Sequence, residues 1–306
     1  MELMTHWRQQ IHDTSVQFQT VEVPHTFYIL AETSLNFELA LIAELESAIP
    51  LFAEQDMVED TPHLYQVDSN TKLLKALLEA GIGQYALCFI WSSHDVEDIL
   101  HHLRHFCQVV DPQGSKYWLR FWDPRVFPYF QQGMNPWQTH HFYTGIAAIG
   151  CEDYRNPEVL RLFHKPEEQT KLQEINEEDT GWNKQGTPVL STHLETCLMQ
   201  GFQTYHHYQL AQQLFNHHPK SEMLDFTDLE AWVKTQSDQL IDWKVDDTDI
   251  HDNLITAAWL QNQDMTQIRQ HAKETNAQVI GLYSFSLSLL QKAKAAYHSE
   301  YKELNS

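Results

Sequence analysis

The sequence predicts an α/β N-terminal lobe with a mixed sheet, followed by an all-α helical C-terminal lobe. Three observations carry that prediction. Strand-like runs alternate with helix-like segments up to about residue 150. The composition then turns polar and charged over Lys165–Gly181 (KPEEQTKLQEINEEDTG), and Gly186-Thr187-Pro188 punctuates its end. Beyond that stretch apolar residues recur only at helical spacing. A chain of 306 residues, 42% hydrophobic and 20% charged, is long enough to bury a sizeable core and to divide into two domains. The expected boundaries are 1–165 for the α/β lobe, 166–188 for a polar connection and 189–306 for the helical lobe.

His25–Ala31 (HTFYILA) is rich in aromatic and β-branched residues and reads as the first strand. Ser34 or Asn36 caps a helix running through Ala48, with Leu39, Ile42 and Leu45 as its apolar positions and Pro50 just beyond. His63–Val67 is a short strand. Thr71–Ala80 is a helix that stops at Gly81 and Gly83, where a left-handed backbone costs least. Tyr85–Trp91 reads as a buried strand, and Asp95–Phe106 as a helix with Val96, Ile99, Leu100, Leu103 and Phe106 on its inner face. Val109–Val110 and Tyr117–Phe121 flank Asp111-Pro112-Gln113-Gly114, a sequence with the chemistry of a hairpin turn. Asp123-Pro124 reads as an N-cap and first helical position for a helix over Arg125–Phe130, and Asn135-Pro136 repeats the device for a helix ending near Phe142. Gly145–Cys151 (GIAAIGC) is expected as the last strand.

In the second lobe Thr192-His193-Leu194-Glu195 has the spacing of a capping box, ahead of Leu198, Phe202, Tyr205 and Leu210. Thr227–Glu230 repeats it for a helix through Trp243. Further helical patterns occupy Asp249–Gln261 and the chain from about Thr266 onward, with a break at Gly281.

Twenty Lys and Arg face 42 Asp and Glu, a formal charge of −22, which argues against nucleic acid or an anionic membrane surface as partner. Met1–Ile11 has neither the basic region nor the apolar core of a secretory signal. The longest apolar runs, Ala86–Trp91 and Val279–Leu290, are well short of the ~20 residues that span a bilayer. Cys88, Cys107, Cys151 and Cys197 form no CxxC and lie among apolar neighbours, as buried thiols in a reducing compartment would. A cytoplasmic location is expected.

Histidine is abundant, with 19 residues. His101 and His105 lie four apart on one predicted helix, a spacing at which two imidazoles can face a metal, with Asp98 as a nearby carboxylate. No HExxH accompanies them, and solvent-facing histidines are the plainer reading. The adjacent pairs His140-His141, His206-His207 and His217-His218 point roughly 100° apart on a helix and read as solvated faces. There is no GxSxG, Walker A, GxGxxG or Cys-centred motif. Asp123 at a helix start has a capping use, and Arg104, Arg120 and Arg125 suit pairing with it or with carbonyls at the sheet end, or contact with a partner. Aromatic residues crowd positions 117–143. A strand that buries one face uses only alternate positions, so either the sheet is covered on both sides or rings such as Trp118, Trp122, Phe127 and Trp137 sit at an interface.

The helix with His102-Leu103-Arg104, the Asp111–Gly114 turn and above all Tyr117–Val126 (YWLRFWDPRV) together resemble the DUF4123 family. Its members show an H-L-R helix end, a D-x-x-G-like turn and an R-F/Y-x-D-P-R-V/L stretch in that order. The resemblance extends over roughly residues 20–150 and does not reach the helical lobe. Where family members often carry a Gly-containing turn after the first strand, this chain reads Ala31-Glu32-Thr33-Ser34.

The resemblance implies a non-enzymatic adaptor chaperone of a bacterial type VI secretion system. Such a protein holds a cognate effector and loads it onto the VgrG spike, often through a PAAR region or the VgrG C-terminal region. It implies no cofactor and no metal, and it makes His102, Arg104, Arg120, Asp123, Pro124 and Arg125 candidates for scaffold or partner-binding roles. The helical lobe and a cleft between lobes are expected to capture the partner segment. Two other classes stay open at this stage: an immunity-type protein that neutralises a toxin, and a metal-dependent hydrolase built on His101 and His105.

Overall fold

A computed structural model describes residues 2–46, 48–52, 61–67, 71–166, 181–183, 187–217, 225–245, 247–275 and 281–304. The chain forms two compact units, Met1–Phe202 and Gln203–Ser306. Most of the expected polar connection, over Lys165–Gly181, lies outside the described residues.

The first unit opens with helix α1 (Glu2–Gln19), strand β1 (Thr26–Ala31), a 3₁₀ turn (Thr33–Leu35) and α2 (Phe37–Leu45). β2 (Ile49–Pro50), β3 (His63–Gln66), α3 (Lys72–Gly81), β4 (Leu87–Ser92) and α4 (Val96–His105) follow. Next come the hairpin strands β5 (Gln108–Val110) and β6 (Lys116–Trp118), then α5 (Phe127–Gly133), α6 (Pro136–Phe142), β7 (Ile146–Asp153) and β8 (Asn156–His164). The six-stranded sheet has the order β2-β3-β1-β4-β7-β8.

The α/β class stands as expected, but every neighbouring pair in the sheet is antiparallel, so the sheet is not mixed. The reason is where β1 lies. β3 and β4 run the same way and are joined by the crossover helix α3, yet β1 inserts between them and pairs antiparallel with both.

Both faces of this sheet are buried, and the strands show it with period two. Tyr28, Leu30, Cys88 and Ile90 point into one core, with Ile99, Leu103, Phe106, Phe121, Phe130 and Phe142. Phe27, Ile29, Ala31, Leu87, Phe89 and Trp91 point into the other, with Trp7, Ile11, Leu39, Leu74, Leu77 and Leu78.

Besides the 3₁₀ turn and the two-residue β2, two elements lack a counterpart in the sequence reading. α1 lays Trp7, Ile11 and Phe18 on the second core, but Thr14 and Ser15 share that buried face and interrupt its apolar pattern. Ser15 Oγ accepts a hydrogen bond from Trp91 Nε1 at 3.0 Å, so the polar residue is needed there. The other is β8, which makes Gly145–Cys151 the penultimate strand and not the last. Its Asn156-Pro157-Glu158 start is tolerated because β8 is an edge strand and Pro need not donate to a ladder there.

Most predicted helix starts hold: Asn36, Thr71, Asp95 and Asn135 each accept a first-turn N–H. Asp123-Pro124 does not open a helix. The Asp123 carbonyl accepts from Val126 and Phe127 N–H at 2.9 Å, closing a turn, and α5 begins only after it.

The second unit is all helical. α7 (Thr192–His217) enters it from the first; α8 (Phe226–Asp242), α9 (Thr248–Gln261), α10 (Met265–Glu274) and α11 (Leu282–Leu304) complete it. Ser191, one residue earlier than predicted, caps α7 through Leu194 N–H, and Asp225 in place of Thr227 caps α8. The core gathers Leu210, Leu214, Leu229, Val233, Leu240, Ile255, Ile268, Phe285 and Leu289. Gly281 adopts φ +83° and marks the start of α11, as expected. No helix among the described residues is long and apolar enough to cross a membrane.

Glu152 on β7 ties the sheet to the end of α3 by accepting Gly83 N–H at 2.9 Å. Burial outweighs that bond and pushes its carboxyl up to about 7 from an ordinary 4.5. The folded chain therefore binds this proton more tightly than the unfolded chain, and the group's contribution to stability falls as pH rises between those two values. Glu152→Gln keeps the acceptor and cannot ionise. Its Tm is expected to exceed that of the parent at pH 8, with the gap closing at pH 5; equal Tm values at both pH values would contradict the assignment.

Candidate functional site

The family-like residues are set on the side of the sheet that carries α4, the β5–β6 hairpin, α5 and α6. β1 ends at Ala31, and Glu32 N–H donates to the Ala86 carbonyl at 2.8 Å, so the Glu32 carboxylate is held at the sheet end. That carboxylate, 2% exposed, accepts from Ser34 Oγ at 2.7 Å, from Trp122 Nε1 at 2.9 Å and from Arg120 Nη2 at 2.8 Å. Glu32 is the residue the sequence reading missed. It lies in the loop where this chain departs from the Gly-containing turn, and no local pattern links it to Arg120.

Arg125 pairs with Asp123 as expected. Its Nε donates to Oδ1 at 2.8 Å and its Nη2 to Oδ2 at 2.5 Å, while Arg125 N–H also reaches Oδ1 at 2.9 Å. The guanidinium lies over the Tyr85 ring, 5.4 Å from its centroid. Pro124 is buried in the turn. Arg104 extends from α4 and donates through Nε to the Leu51 carbonyl.

His102 bonds the Phe142 carbonyl through Nε2 at 2.8 Å, which joins α4 to the end of α6. Burial pushes its pKa down to about 4, so at neutral pH the ring is uncharged and the bond puts its proton on Nε2. Every one of these six residues is thus engaged by its own chain, and the arrangement positions structure more than it presents reactive groups.

Of the four aromatic residues considered for an interface, Trp122 and Phe127 are core. Trp122 spends its N–H on Glu32, and Phe127 belongs to a ring cluster around Phe142 that includes Phe106, Phe121 and Phe130 at centroid distances of 4.9–5.8 Å. The alternation rule fails for this stretch because the chain leaves the strand after Trp118. Trp118 is 52% exposed and packs edge-on against Phe52, and Trp137 is half-buried.

A second surface feature escaped the sequence reading. Phe37, Leu41 and Leu45 stand one turn apart on α2 and are 81%, 44% and 72% exposed. Leu39 turns to the core, whereas Leu45, expected beside it, faces solvent. The signal was present: Phe37–Leu45 (FELALIAEL) carries apolar residues on both sides of the helix.

His101 and His105 are exposed with ring centroids 4.8 Å apart. Among the described residues they gather no third ligand. The His/Cys/Asp/Glu group that does converge is His206, His251 and Asp252 in the helical unit.

Glu32→Ala strands the buried Trp122 N–H and is expected to cost about 1–3 kcal/mol in chemical denaturation, with a smaller addition from the half-exposed Arg120. Asp123→Ala is expected to lose about 1–3 kcal/mol through the freed guanidinium and backbone N–H. Unchanged unfolding midpoints for both variants would refute the scaffold role.

No curated protein and no solved structure matches the chain. Residues 29–141 match the family model described as domain of unknown function DUF4123. The match encloses Glu32, the α2 stripe, the H-L-R helix end, the hairpin turn and the Asp-Pro-Arg turn, and it supports the resemblance of this part of the chain to the DUF4123 family.

Proposed function

We propose that the protein is a non-enzymatic adaptor chaperone that binds a cognate type VI secretion effector in the cytoplasm and loads it onto the VgrG/PAAR spike. The observation that carries this reading is the DUF4123 match over residues 29–141, a family generally linked to effector adaptors of that system. The site chemistry is compatible with it: the polar residues of the motif bond to their own chain, and the charge of −22 favours a neutral or basic partner over nucleic acid.

On this reading affinity comes from apolar anchors, and the α2 stripe supplies them. Three large apolar side chains one turn apart on a solvent-facing helix cost solubility unless something covers them, and here the effector does so. Release onto the spike then follows from competing contacts of the spike with the same effector segment.

The test is co-purification of the tagged full chain from its native bacterium, with the retained chains identified by mass spectrometry. Recovery of an effector or VgrG-like protein is expected. The triple variant Phe37→Ser, Leu41→Ser, Leu45→Ser is expected to keep the parental Tm within a few degrees and to lose the effector. Recovery of neither class of protein by the parent would sink the adaptor reading, and retention of the effector by the triple variant would move the contact away from α2.

A further inference from the structure

We propose that His206, His251 and Asp252 form a binding site for a single Zn²⁺ ion that clips α7 to α9 within the helical unit. The side chains come from two helices that the sequence separates. His206 Nε2 is 2.9 Å from Asp252 Oδ1, His251 Nδ1 is 3.6 Å from the same oxygen, and the three ligand atoms all lie within 4.8 Å of one another. The imidazole ring centroids are 5.5 Å apart.

The atoms meet at one point, Asp252 Oδ1, which both imidazoles approach. The side chain of His251 is 12% exposed, and those of His206 and Asp252 are 30% and 36% exposed, so the cluster is half-sunk and still open to an entering ion. Among the described residues neither His251 Nδ1 nor Asp252 Oδ1 has a hydrogen-bond partner, although both atoms are out of contact with water. His206 Nε2 approaches Asp252 Oδ1 at ion-pair distance, 2.9 Å. Two imidazole nitrogens at 2.9 and 3.6 Å thus converge on one buried carboxylate oxygen, an arrangement that a shared cation completes.

The donor set fits zinc. Two imidazole nitrogens and one carboxylate oxygen are ligands for a borderline divalent ion, and a fourth position remains for water. At metal–ligand distances of about 2.0–2.1 Å, two ligands on a tetrahedral ion lie about 3.3 Å apart. The two distances to Asp252 Oδ1, 2.9 and 3.6 Å, bracket that edge, and the three ligand atoms all lie within 4.8 Å of one another, so side-chain rotation that draws the two imidazoles together closes the site. Neither helix carries a local metal motif, because one partner of the adjacent pair His206-His207 points elsewhere and the second imidazole arrives only with α9.

The experiment uses the full chain, stripped with a chelator and dialysed, then titrated with zinc chloride by calorimetry and scored for metal per chain. One zinc per chain and a rise in Tm with added zinc are expected. The near-isosteric Asp252→Asn should bind at least about 100-fold more weakly, while keeping the metal-free Tm and far-ultraviolet circular dichroism of the parent. Cobalt substituted into the parent should show the visible d–d bands of a four-coordinate site, and these should be missing from Asp252→Asn and His206→Ala. The double variant His101→Ala, His105→Ala should bind zinc as the parent does. No zinc retained by the parent, equal affinity in Asp252→Asn, or loss of binding in the His101/His105 variant would each overturn the proposal.

Discussion

A central strand with helices against both of its faces must present apolar side chains on both, and β4 meets that constraint with Leu87-Cys88-Phe89-Ile90-Trp91, all buried. Its even-numbered residues pack against α4 and the aromatic cluster, its odd-numbered ones against α1 and α3. The neighbouring polar atoms are consequently tied down. Trp91 Nε1 needs Ser15 on α1, Ser92 Oγ donates to the Gly145 carbonyl at 2.9 Å, and Glu152 holds Gly83.

The DUF4123 motif residues belong to the same economy of satisfied groups. Arg120 and Trp122 converge on Glu32, Arg125 wraps back on Asp123, Arg104 reaches a carbonyl beside β2, and His102 stays neutral to serve Phe142. These contacts fix how the hairpin, the Asp-Pro-Arg turn and α6 seat on the sheet. A motif of charged residues can therefore be structural: its charges are consumed in holding loops, which by themselves bury too little apolar surface to stay in place. What the first unit leaves exposed includes apolar surface, namely the outer face of α2 and the Trp118 edge of the hairpin.

The helical unit solves the burial problem separately, with leucine and alanine faces meeting around α9. Its polar side chains converge at His206, His251 and Asp252. The two units thus present different surfaces, an exposed apolar helix face in one and a cluster of two imidazoles and a carboxylate in the other.

Much of this was legible in one dimension. The strands β1, β3 and β4, the caps at Asn36 and Asn135, the helices starting at Thr71 and Asp95, the Asp111–Gly114 turn and the change to an all-helical second half follow from period, capping chemistry and turn residues, all of which act over fewer than ten positions. The tertiary structure alone decided the rest. The strand order, with β1 between β3 and β4, made the sheet antiparallel. α1 escaped notice because its buried face carries Thr14 and Ser15, and β8 because an edge strand accepts Asn-Pro-Glu. Glu32 acquired its role from Arg120 and Trp122, and His206 from a helix far along the chain. Each of these depends on contacts between residues distant in sequence, where local propensity carries no information and only the packed chain determines which polar group meets which.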